Sequence, residues 1–220
     1  MSILRRFRWS LAACAVGAAS SFLFSALLHW PRATFVGAHS ALVLALMVVY
    51  ARTESVNFAV QFSRRWVAGM VGGLVVGALL IQQVMGQPSS PSPEGFAPLA
   101  TALGWYGVVY GAADALLLTV LPVLTVYGSG AADALSSARS RFRVAGLSLL
   151  ASAIITAVYH LGFSEFRGAS LLAPVLGNLL ITLAYLLTGS PVAALVSHIM
   201  MHIAAVLHGS ATTLQLPPHY

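Results

Sequence analysis

Five polar residues of this 220-residue chain sit inside long apolar runs and are of the types that move protons or hold a water: Asp114, His160, Asn178, His198 and His202. A carboxylate can take a proton from water. Imidazole or a carboxamide can stabilise the oxyanion that forms when that water attacks a carbonyl. His198 and His202 are four apart, so on a helix they stack one turn apart on the same face and point into one cavity. Asp114 lies in Tyr110-Gly111-Ala112-Ala113-Asp114-Ala115-Leu116-Leu117-Leu118, with no basic residue in its own run. A lone carboxyl there is either protonated or paired with a histidine from another helix. Asp114, His160, His198 and His202 also have the types of a tetrahedral metal site or of a proton relay. The same residues could instead do no more than hydrogen-bond between helices.

The elements that must position them follow from composition. Apolar residues make up 59% of the chain and charged ones 7%, against about 25% charged in an ordinary soluble domain. So few charges cannot cover a water-soluble surface, and the solvent is therefore a bilayer. The fold class expected is all-α, a polytopic bundle forming one membrane-embedded domain over residues 1–220, with the motif-bearing half at about 99–208. Runs near the roughly 20 residues a bilayer requires number seven. They are Trp9 to Trp30, Thr34 to Tyr50, Trp66 to Met85, Leu99 to Tyr127, Val144 to Phe163, Leu171 to Thr188 and Pro191 to His208. The fourth is long enough to bend, with Pro122 near its end. Glycines 69, 72, 73 and 77 in the third suit close helix contact.

Arginine placement fixes an orientation. With the N-terminus in the cytoplasm, inside segments hold Arg5, Arg6, Arg8, Arg52, Arg64, Arg65, Arg139, Arg141 and Arg143, and only Arg32 and Arg167 lie outside. This implies a multi-pass protein of the cell membrane. The net charge of +6 orients spans and does not form a basic face for nucleic acid. The single cysteine, Cys14, excludes an intramolecular disulfide. His39, Gln82 and Gln83 read as packing or interfacial groups. Glu54 and Asp133 read as solvated loop charges beside arginines, and His208 and His219 as an exposed tail. Nothing in the sequence gives the first two spans a role in the site.

Leu187-Thr188-Gly189-Ser190-Pro191 opening a helix with His198 and His202 resembles the last motif of the CAAX-protease and bacteriocin-processing family of intramembrane endopeptidases. Ile155-Thr156-Ala157-Val158-Tyr159-His160 resembles its Phe-x-x-x-His motif, and the 38-residue step from His160 to His198 has the expected size. Ala113-Asp114 stands where the family has two glutamates, with Leu118 in place of its arginine, Thr156 in place of its phenylalanine and His202 in place of its final asparagine. Asp114 also precedes His160 by 46 residues, a longer step than the family usually has.

The resemblance implies hydrolysis of a hydrophobic or lipid-anchored membrane peptide or lipoprotein, with no metal or other cofactor. Asp114 would be the base, and His160 would hold the water. His198, His202 and Asn178 would supply donors. Two other classes remain open at this point: a non-catalytic relative that binds a membrane peptide or partner, and a protein that handles metal or protons.

Overall fold

The computed structural model describes residues 3–127, 137–209 and 211–216; Asp133 and His219 lie outside them. Every regular element among the described residues is helical, and seven helices are long and apolar enough to cross a membrane: Arg8–Leu27, Arg32–Glu54, Trp66–Met85, Phe96–Tyr127, Ala138–His160, Ala169–Thr188 and Val192–Gly209. Each coincides with an expected span to within a few residues at most boundaries. The second is longer than its apolar run because Arg32 and the stretch Ala51 to Glu54 continue its helix beyond the hydrocarbon-compatible part.

The fourth span is the hub. Every residue from Leu117 to Val126 is buried, whereas the other spans leave apolar side chains such as Leu44, Val75, Leu150 and Leu187 exposed, as lipid-facing helices do. The third and seventh spans form the closest pair. A Cβ at Gly73 would lie 2.7 Å from Val196 Cβ, and one at Gly77 would lie 2.8 Å from Met200 Sδ, so the glycine face does serve packing. Gly111 does the same between the fourth and seventh spans, where a Cβ would lie 3.0 Å from Ile199 Cα and 3.1 Å from His202 Cδ2.

Two spans depart from regular α-helix where polar side chains turn inward. Wide π-helical turns cover Ala19–Leu27 in the first span, and Leu103–Val109 and Ala115–Val120 in the fourth. The latter two bracket the short α-segment Tyr110–Asp114. Pro122, two residues after the second of these turns, brings no N–H to the carbonyl of Leu118 four residues earlier. That carbonyl accepts instead from Ser152 Oγ of the fifth span (2.6 Å) and Asn178 Nδ2 of the sixth (3.0 Å).

At one end of the bundle Glu54 is buried rather than solvated. Its Oε1 accepts from Arg8 Nη2 and from Trp9 Nε1, both at 2.8 Å, fastening the second span to the first. At the other end His208 is not in a loose tail. It closes the last turn of the seventh span, and its Nε2 donates to the Gln87 carbonyl at 2.8 Å.

Candidate functional site

Tyr110 and Asp114 are four apart on the short α-segment of the fourth span, so both project into the bundle. Asp114 is 4% exposed and meets a histidine on each oxygen. His39 Nε2, from the second span, lies 3.2 Å from Oδ1 and donates to it. His202 Nε2, from the seventh, lies 3.4 Å from Oδ2 but off the line a hydrogen bond needs. The other nitrogen of His39, Nδ1, meets Ser20 Oγ of the first span at 3.0 Å. The His39 ring stacks on Tyr159, whose hydroxyl lies 2.7 Å from that of Tyr110. A carboxylate in hydrocarbon is thus held by an imidazole from one other helix and approached by a second from another, the kind of pairing expected for a lone intramembrane acid.

His198 stacks above His202, with ring centroids 6.1 Å apart, as their spacing requires. His198 Nε2 donates to Asn178 Oδ1 at 3.2 Å. Asn178 is a polar junction in its own right. Its Oδ1 also accepts from Thr119 at 2.7 Å, and its Nδ2 reaches Thr156 Oγ1 at 2.6 Å, Ser152 Oγ at 2.8 Å and the Leu118 carbonyl. Four spans are therefore tied together at one carboxamide. In contrast, His198 Nδ1 and both nitrogens of His202 are buried without a hydrogen-bond partner. Buried polar nitrogens are seldom left this way unless water, an ion or a reacting group meets them.

These groups line one cavity of about 100 Å³, together with Tyr110, His160, Gln83 and the apolar side chains of Leu80, Phe163, Phe166 and Ile181. Since a water occupies about 30 Å³ in the liquid, the space suits a few waters. Gln87 and Gln215 lie at its far end. There Gln87 Nε2 donates to Gln215 Oε1 at 3.0 Å and Leu214 N donates to Gln87 Oε1 at 2.9 Å, so residues 214 and 215 are tied to the chain just after the third span.

Asp114, Asn178, His198 and His202 come together, as their chemistry predicts. His160 reaches the cavity wall but not the cluster. Its Nδ1 donates to the Thr156 carbonyl at 2.8 Å and its ring stands edge-on to Phe166, with centroids 4.9 Å apart. The group whose ligand atoms lie within 4.8 Å of one another is Asp114, His198 and His202, so a site of three histidines and one carboxylate built on His160 does not form. The residue the sequence reading undervalued is His39. It is fully buried and central, neither interfacial nor mere filler. Its signal was the one that flagged the others, an ionisable group well inside an apolar run. No protein-family model, curated protein or solved structure matches this chain.

Proposed function

We propose that this chain is an intramembrane hydrolase that cleaves a peptide bond in a hydrophobic or lipid-anchored substrate, using a water activated beside Asp114. The observation that carries this reading is the convergence, around one cavity with room for a few waters, of a carboxylate with unpartnered imidazole nitrogens from a different helix. Acting alone, Asp114 Oδ2 takes a proton from the water. The hydroxide attacks the carbonyl carbon, and His202 supplies the N–H that meets the developing oxyanion, while His198, its Nε2–H held by Asn178, stacks behind His202. The C–N bond then breaks and the proton passes to the leaving amine. His39 orients Asp114 from behind, and Tyr110 and Tyr159 wall the carboxylate off from lipid.

The likeness of the Thr188-Gly189-Ser190 turn and its two histidines to the CAAX-protease and bacteriocin-processing family supports the same chemistry, with aspartate doing the work of glutamate. The arginine bias supports an N-terminus in the cytoplasm of a cell-membrane protein, which puts the Gln87 end of the cavity near the outer face.

The test is cleavage of a membrane-spanning peptide by the full chain in lipid nanodiscs. Activity that disappears in Asp114→Asn and drops in His202→Ala supports the proposal. A peptide that binds but stays intact in the wild type makes the chain a non-catalytic binder and overturns it.

A further inference from the structure

We infer that Asp114, His198 and His202 form a binding site for one divalent transition-metal ion of the zinc class. The inference shares its residues with the proposed hydrolysis without depending on it: while an ion holds Asp114 Oδ2 that oxygen is not the base, so the two are alternative states of one site.

Zinc bound to nitrogen and oxygen at about 2.0–2.2 Å sets neighbouring tetrahedral ligands roughly 3.3–3.5 Å apart. Asp114 Oδ2 and His202 Nε2 are 3.4 Å apart. They are misaligned as donor and acceptor, but they have the separation of two ligands sharing one ion. The farthest pair in the group lies within 4.8 Å, so closure to tetrahedral spacing asks for a shift of at most about 1.4 Å, which rotation about the side-chain torsions of a histidine supplies. His198 brings a buried Nδ1 with no other partner. If its ring turns so that Nε2 becomes the ligand, Asn178 Oδ1 keeps Thr119 as donor.

The surroundings have the second layer that metal carboxylates need. His39 donates to Oδ1 and is itself braced by Ser20, which fixes the carboxylate with Oδ2 on the side of His202. Two imidazoles and one carboxylate leave a fourth position open toward the cavity, the pattern of sites that bind water or substrate rather than purely structural ions. Among the described residues no arginine lines this cavity, so no described guanidinium there opposes a cation.

The experiment uses the full chain in detergent micelles, stripped with chelator and titrated with Co2+ alone. The expected result is a visible ligand-field absorption that saturates at one ion per chain and is bleached by stoichiometric Zn2+. Asp114→Asn and His202→Ala should each weaken Co2+ by more than the roughly 10- to 100-fold expected of the outer-layer variant His39→Gln. His160→Ala should leave it unchanged. Because these variants can disturb folding, the wild type carries a second measurement: the Co2+ form should show paramagnetically shifted proton resonances from two imidazoles. No saturable absorption, or shifted resonances from none or only one imidazole, overturns the site. Co2+ binding without peptide cleavage keeps this inference and removes the proposed hydrolysis. Cleavage by a chain that binds no Co2+ does the reverse.

Discussion

His39 and Asp114 are 75 positions apart in sequence and 3.2 Å apart in the bundle, and through them the first two spans become part of the site. Ser20 extends the contact to the first span. The N-terminal spans thus do more than complete a bundle around a C-terminal motif. They hold the carboxylate on which the site depends.

Removing the imidazole partner leaves the Asp114 oxygen buried and unmatched, which costs about 3–5 kcal/mol when one member of a buried pair is lost. His39→Ala should lower the unfolding free energy by that order. In the Asp114→Asn background the same change should cost much less. A double-mutant cycle on unfolding in mixed micelles gives the difference directly.

Gly111→Ala places a methyl 3.0 Å from the Ile199 backbone and 3.1 Å from His202. Forcing these spans apart should destabilise by about 1–3 kcal/mol and disturb the position of His202 relative to Asp114. Gly104→Ala, on the same span with nothing within 4 Å, is the matched control and should be close to neutral. Thermal melts of the two variants side by side check both statements.

Asn178→Leu removes the carboxamide that joins Thr119, Ser152, Thr156, His198 and the Leu118 carbonyl. Each buried polar group left unmatched costs about 1–3 kcal/mol. The total should therefore exceed that of any single partner change such as Thr119→Val or Ser152→Ala, as chemical denaturation of the three variants would show.

The proposed orientation, with the N-terminus in the cytoplasm, puts residue 92 outside and residue 64 inside. In a Cys14→Ser background, Ser92→Cys should label with a membrane-impermeant maleimide on intact cells, and Arg64→Cys should label only after permeabilisation. The opposite pattern would reverse the orientation.

The seven spans are legible in sequence because hydrocarbon imposes one rule on every segment, so a run of apolar residues near bilayer length can only be a helix. The pairing of His198 with His202 is legible for a similarly local reason, one turn of one helix. Contacts between spans follow no such rule. His39 and His160 look alike in sequence, each a histidine within or at the end of an apolar run. Yet His39 reaches Asp114, while His160 satisfies Nδ1 on its own helix at Thr156 and packs against Phe166. What separates them is the approach of the helices. That depends on small residues such as Gly37, where a Cβ would lie 3.4 Å from Trp105 of the fourth span, and on the wide turns on either side of Asp114, neither of which periodicity reveals. Glu54 illustrates the same limit. Beside arginines in sequence it reads as a surface charge, but Trp9 and Arg8 from another span bury it.

Pro122 looks like a defect in the fourth span, and its effect is to leave the Leu118 carbonyl for two neighbouring helices. Pro122→Ala would mend the helix and, in doing so, offer that carbonyl a competing partner from its own chain. A substitution that raises helix propensity should then loosen the grip of the fifth and sixth spans on the fourth. An imperfect helix at this point makes a better neighbour than a perfect one, and stability here belongs to the assembly of spans more than to any span taken singly.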